Sequence, residues 1–189
     1  MSRWQPGAKQ RLENAALELF QEQGFADTTV PQITARAGLT TRTFFRHFTD
    51  KREVLFAFEA ELPAIVAQVL RDAPPALPPL DVIRIALEQV ATDRIGGAHG
   101  YLRTHRSVVQ SDEGLKEREL RKHSVLADAA RLGFLERGLD ELTATVAAHV
   151  AVTVFNVSVD RWLDSDGSSL VEILRETIHA VTSLSGQDE

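Results

Sequence analysis

Residues 28 to 48 read Thr-Thr-Val-Pro-Gln-Ile-Thr-Ala-Arg-Ala-Gly-Leu-Thr-Thr-Arg-Thr-Phe-Phe-Arg-His-Phe. The spacing predicts two short helices joined by a tight glycine turn. Thr29 can cap the first helix, and Gln32 three residues later completes a capping box. Pro31 falls in the first turn, where its missing N–H leaves no hydrogen bond unmade. Ile33 and Ala37 stand four apart on one apolar face. Gly38 permits the left-handed residue that ends the helix. Leu39 fills the corner, and Thr40 or Thr41 can cap the second helix. On that helix Phe44 and Phe48, again four apart, face inward. Thr41, Arg42, Thr43, Arg46 and His47 are then left facing largely outward.

An outward row of hydroxyls, guanidinium and imidazole suits base edges and phosphates in a major groove. Alone, the same pattern also fits an ordinary helical hairpin with a solvated polar face. The flanking sequence narrows the choice. Arg11 to Gly24, with Leu12, Ala15, Ala16, Leu19 and Phe20 apolar, reads as one amphipathic helix stopped by glycine. Asp50-Lys51-Arg52-Glu53 opens another helix with an Asp cap and a Glu at the third position.

The run from Arg11 to Leu55 resembles the DNA-binding head of the tetracycline-repressor (TetR) family. The matching elements are Ala15-Ala16-Leu17-Glu18-Leu19-Phe20, Gly24-Phe25, Thr28-Thr29-Val30, Ile33, Ala35-Arg36-Ala37-Gly38-Leu39, Thr43-Phe44-Phe45-Arg46-His47-Phe48 and Lys51. The resemblance covers about a quarter of the chain. It implies an all-α protein, with a helix-turn-helix DNA-binding domain over residues 1–50 and a helical ligand-binding and dimerisation domain over 51–189. It places Thr28, Thr29, Thr40, Thr41, Arg42, Thr43, Phe45, Arg46, His47 and Lys51 at the DNA. Arg42 and Thr43 are the base readers in this scheme, and Thr28, Thr29, Arg46, His47 and Lys51 mainly hold phosphates. Two positions depart from the pattern. Phe45 stands where the family usually has a Tyr whose hydroxyl touches a phosphate, so that contact is lost or passes to Arg46 or His47. Thr34 stands where a small Ala is usual.

Charge is distributed to match. The chain carries a net −6 over its 189 residues. Residues 1–56 hold eight Lys/Arg against six Asp/Glu, a balance of +2, while the remainder holds 13 against 21, a balance of −8. A mildly basic head on an acidic body leaves only the head suited to a polyanion. With no cysteine there is no disulfide framework, thiolate nucleophile or Cys-ligated metal. No cofactor or metal is expected. The apolar run around Ala147 to Phe155 is too short to span a bilayer and contains His149, and the N-terminus lacks the apolar core of a signal peptide. A cytoplasmic protein without a membrane partner is the expectation.

The remaining sequence has helical periodicity and no strand signal. A long helix is expected from Arg52 to about Leu70, kinked at Pro63. A Pro/Ala-rich linker follows at 72–79, then helices over about 81–95, 99–110, 111–137, 141–163 and 168–184, making about nine in all. The last two are strongly apolar. The TetR resemblance implies that they pair with a two-fold mate, which gives Ala144, Ala147, Ala148, Ala151, Val152, Leu170, Ile173, Leu174, Ile178 and Val181 as candidate interface residues. The plain alternative is intrachain core, and for about half of these residues it must hold. The resemblance also implies a pocket for an unidentified small molecule among the middle helices. Phe58, Leu62, Gln89, His99, Tyr101, Arg103, His105, Phe134, Asn156 and Trp162 are the candidate lining residues.

The function expected is that of a dimeric, ligand-responsive repressor on a near-palindromic DNA operator. A helical DNA-binding regulator controlled by a protein partner is the alternative. A small helical enzyme is disfavoured, because the six His are scattered and no Ser/His/Asp order, metal-spaced cluster or phosphate-cradling glycine loop occurs. No catalytic residues are expected.

Overall fold

The computed structural model describes residues 7–57 and 60–185. Among them are ten α-helices and no strand: α1 (Ala8–Gln23), α2 (Val30–Arg36), α3 (Thr41–His47), α4 (Lys51–Phe56), α5 (Leu62–Asp72), α6 (Pro79–Val90), α7 (His99–Gln110), α8 (Glu113–Glu136), α9 (Glu141–Asp164) and α10 (Leu170–Ser185). Ala91–Ile95 continues α6 as a π-helical turn, closed by Gly96 N–H to Ala91 O at 2.8 Å.

The all-helical expectation holds, with one correction. The single kinked helix from Arg52 to Leu70 is instead two, α4 and α5. Pro63 lies within the first turn of α5, where its fixed φ starts a helix and its absent N–H is not needed. A proline in that place marks a beginning, so the count rises from nine to ten.

Most helix ends follow the sequence signals. Thr40 Oγ1 accepts from Thr43 N–H at 3.2 Å, and Asp50 Oδ1 accepts from Arg52 and Glu53 N–H at 2.7 and 2.9 Å. Asp112 caps α8 through Leu115 N–H at 3.0 Å. Ser169 and Glu172 form a reciprocal box on α10, at 3.2 and 3.0 Å.

The chain divides into two compact units, one of residues 1–60 with 103–119 and the other of 61–102 with 120–189. In the first, α1 packs on α2, α3 and α4. Leu12, Ala16, Ile33, Phe44, Val54 and Leu55 are fully or almost fully buried. Phe20 and Phe25 meet at 5.1 Å between ring centres, and Phe44 and Phe48 at 5.5 Å. Arg11 reaches from α1 to the carbonyls of Ala37 and Gly38, placing a cation at the C-terminus of α2.

The second unit has two apolar clusters. One joins Val90, Ala91 and Ile95 to Val154, Trp162 and Leu163 of α9 and to Leu170, Ile173, Leu174 and Ile178 at α10. The other joins Leu70, Val82 and Ile83 to Ala130 and Phe134 of α8 and Ala144, Ala147 and Ala148 of α9. Between α9 and α10, buried Ser158 donates to Thr177 Oγ1 at 3.0 Å, and Thr177 donates to Ile173 O at 2.8 Å, so both hydroxyls are satisfied. By length and composition alone α9, with mean hydropathy 1.6 over an 18-residue stretch, could cross a membrane. Here seven of its residues are buried, and it packs on α6 and α10.

Candidate DNA interface and ligand cavity

The turn between α2 and α3 forms as its residues dictate. Gly38 adopts φ +63°, the left-handed region in which a Cβ is strained. Ile33, Ala37, Phe44 and Phe48 are buried, and Leu39 is half-buried at the corner. What remains on the outside of α3 is the candidate interface: Thr40, Thr41, Arg42, Phe45, Arg46 and His47 are exposed, and Thr43 is half-buried. Arg46 Nη2 lies 3.3 Å from His47 Nε2. Phe45 is 60% exposed, large for a phenyl ring, and stands edge-on to Phe44 at 5.3 Å.

Thr28, Thr29 and Lys51 fare differently. Thr28 is fully buried, and its hydroxyl donates to Gly24 O at 2.7 Å. It offers no side-chain surface to a phosphate. Thr29 is exposed, but its N–H and hydroxyl both turn to Gln32 Oε1, at 2.8 and 2.9 Å. Lys51 is turned inward. Its ammonium donates to the carbonyls of Phe25, Ala26 and Thr28, at 2.7, 3.1 and 2.8 Å, and lies 4.4 Å from the centre of the Phe25 ring. Desolvation by burial holds its pKa below the usual lysine value. Against the expected phosphate role, the side chains of Thr28 and Lys51 are engaged in structural contacts within the chain. Both tie the corner between α1 and α2, and Lys51 does so with three charge-assisted bonds.

The second unit contains a cavity of about 70 Å³ bounded by α5, α6, α8 and α9. Of the ten residues proposed for a ligand site, Leu62 and Phe134 line it. Phe58 lies outside the described residues. Gln89 is exposed, and Tyr101 and Asn156 are half-buried, but none of the three borders the cavity. His99 and Trp162 are brought together away from it. Their rings meet edge-to-face at 4.6 Å, with His99 Nε2 3.1 Å from Trp162 O. Arg103 and His105 belong to the first unit, where Arg103 is exposed and His105 is buried edge-on to Phe56 at 5.6 Å.

The lining residues missed by sequence reasoning are aliphatic or phenyl, among them Val66, Val69, Leu87, Leu126, Ala130 and Phe155. Nothing in the sequence separates them from ordinary core. Gly133 sets one wall. A Cβ there would come within 2.5 Å of Leu70 Cδ1, so the glycine lets α8 approach α5 closely enough for Leu70 to border the cavity.

Most of the candidate interface residues take the intrachain-core alternative. Ala144, Ala147, Ala148, Leu170, Ile173, Leu174 and Ile178 are buried within the chain, and Ala151, Val152 and Val181 are half-buried. Ala151 and Val152 line the cavity. Helical periodicity identified an apolar face and could not say that the chain's own helices cover it. The large apolar side chains left exposed on these two helices are Leu142, Val146 and Val157 of α9 with Leu184 of α10, between 43% and 85% exposed.

Residues 13–58 match the model of bacterial regulatory proteins of the tetR family. The transcriptional regulator TcmR of Streptomyces glaucescens is 31% identical over 149 residues, covering 71% of this chain and 66% of the relative. SrpR of Pseudomonas putida is 47% identical over 49 residues, 26% of this chain and 23% of that regulator. The chain thus spans about two thirds of the first relative and about a quarter of the second. The fold matches SmeT in its triclosan complex with a TM-score of 0.63 at 19% identity, over 92% of this chain and 90% of that one. It also matches FadR of Bacillus subtilis in complex with stearoyl-CoA, with a TM-score of 0.60 at 18% identity, over 92% and 97% of the two chains. A tetR-type head continuous with a helical body of matching fold, and a relative alike across most of both, place the chain in the TetR family of bacterial regulatory proteins.

Proposed function

We propose that this chain is a sequence-specific DNA-binding transcription regulator acting as a ligand-responsive, dimeric repressor in the cytoplasm. The observation that carries this reading is the exposed face of α3, where Thr41, Arg42, Phe45, Arg46 and His47 stand clear on a glycine-turned motif. Arg42 can pair bidentately with guanine, and Thr43 can meet a thymine methyl. Arg46 and His47 suit phosphates, as does the exposed Thr29 with a smaller share. Phe45 cannot donate to a phosphate, and its phenyl ring suits an apolar contact with sugar or a thymine methyl.

One such head touches too few base pairs for specificity, so a two-fold pair is required. Leu142, Val146 and Val157 give α9 an exposed apolar stripe suited to a second copy. Two α3 helices then meet successive major grooves roughly 34–36 Å apart on a near-palindrome. Small-molecule response is supported by the cavity and by the ligand complexes of SmeT and FadR, proteins of like fold. A ligand releases DNA only by binding better to a conformation whose heads are mis-spaced.

Gel shifts and footprints on fragments of the source genome, with sedimentation in parallel, test the reading. A dimer protecting a near-palindrome is expected, with Arg42→Ala relaxing base preference at a cost of about 1–3 kcal/mol and Val146→Glu producing a monomer. A wild-type monomer with no specific footprint overturns it.

A further inference from the structure

The walls of the cavity assign a ligand class. All its lining side chains are carbon-only, from Leu62 and Val66 on α5 through Leu87 on α6 and Leu126 on α8 to Phe155 on α9. No N–H, O–H or carboxylate faces the space. Any charged or hydrogen-bonding atom set against these walls loses its water on that side and gains no partner. The polar groups that could serve a mixed ligand, Gln89, His99 and Asn156, do not border it.

Size limits the class further. Dry apolar cavities of about 150 Å³ accept benzene, and this one is about 70 Å³. Val66, Leu87, Leu126 and Phe155 are only half-buried, so rotation of these side chains can widen the space. We infer that the cavity binds a small neutral hydrocarbon-like molecule, or the like part of a larger one: a single ring or short alkyl group, without hydrogen-bonding atoms on the enclosed portion. The inference rests on the ligand-responsive reading only for its regulatory meaning, because binding itself is measured without DNA.

The test uses the full chain with benzene, phenol and benzoate as probes, followed by calorimetry and thermal unfolding. Benzene should bind saturably and raise Tm by about 2–4 °C. Phenol should bind about tenfold more weakly, and benzoate should give no detectable binding at the same concentrations. Ala86→Phe, which fills the cavity from α6, should abolish the benzene response while the ligand-free chain keeps its helical circular dichroism. If Ala86→Phe does not fold, Val66→Thr is read instead. It places a hydroxyl in the wall at nearly unchanged shape and should weaken benzene about three- to tenfold. The inference is overturned if benzene does not bind, if phenol or benzoate matches it, or if the benzene response survives unchanged in whichever folded variant is read. Benzene binding without any effect on operator DNA would leave this inference standing and remove ligand control by this cavity from the proposed function.

Discussion

The two compact units carry their information at different ranges. In the first, most caps and ring pairs join residues three to five apart: Thr40 with Thr43, Phe44 with Phe48, Asp50 with Glu53. In the second, the decisive contacts join distant parts of the chain. Arg137 donates to the carbonyls of Leu70, Ala73 and Pro74 at 3.0, 2.7 and 2.7 Å, more than sixty residues away. Local chemistry is readable from one sequence, whereas the choice of partner for an apolar face is not. The first unit also closes around large rings, while the second leaves a void beside two, Phe134 and Phe155.

The largest test of this contrast is truncation of a fully buried ring in each unit. Phe44→Ala should cost about 3–5 kcal/mol, because its neighbours in the motif are already fixed by caps and cannot collapse inward. Phe134→Ala should fall at the lower end of that range, since Phe134 borders a cavity whose half-buried walls can relax. Urea unfolding of both variants decides the matter, and a larger loss for Phe134 would reverse the comparison.

Lys51→Ala should have an intermediate effect. Losing three charge-assisted bonds to the α1–α2 corner should destabilise the first unit by about 1–3 kcal/mol. The salt dependence of DNA binding should keep its slope, because the Lys51 ammonium is already held by three carbonyls. A slope reduced by about one, with unchanged stability, would return Lys51 to the DNA.

The smallest effect concerns acid. Thr49 donates its N–H and hydroxyl to Glu53 Oε2, both at 2.5 Å, and the hydroxyl bond foremost holds the Glu53 carboxyl below its usual pKa. A depressed carboxyl contributes stability that is complete above its unfolded value near 4.5 and is lost as pH falls through the folded value. Glu53 is partly exposed, so the contribution should be under about 1 kcal/mol. Unfolding free energies from pH 7 to 3 should fall less steeply for Glu53→Gln than for the natural chain. Parallel curves would show that the bond to Thr49 adds nothing.

Most of the helix-turn-helix could be read in advance because its signals are stereochemical. Gly38 must take a positive φ, Pro31 and Asp50 must sit at helix starts, and phenyl rings four apart must share a face. Thr28 and Lys51 are polar side chains whose inward direction no local signal gives; Thr28 is buried, and backbone carbonyls 23 to 26 residues from Lys51 draw it inward. In the second unit the existence and ends of α9 and α10 were legible from caps and glycines. Their faces were not, since Ala148 and Val146 look alike in a helical pattern and only packing buries the first while exposing the second. The ligand residues were sought among polar and aromatic types, and the cavity is made of the types least distinguishable from core.

The π-helical turn at Ala91–Ile95 gives the chain a place where its length is negotiable. A π-turn holds one residue more than a turn of the α-helix before it, so Ile95 at its end keeps the alignment it would have if that residue were absent. Removing exposed Asp93 should let the turn relax to α-helix with Ile95 still buried, whereas removing Leu87 rotates everything downstream by about 100°. Insertions and deletions should therefore be tolerated in this single turn more readily than elsewhere in α6, which the thermal stabilities of the two deletion variants would reveal.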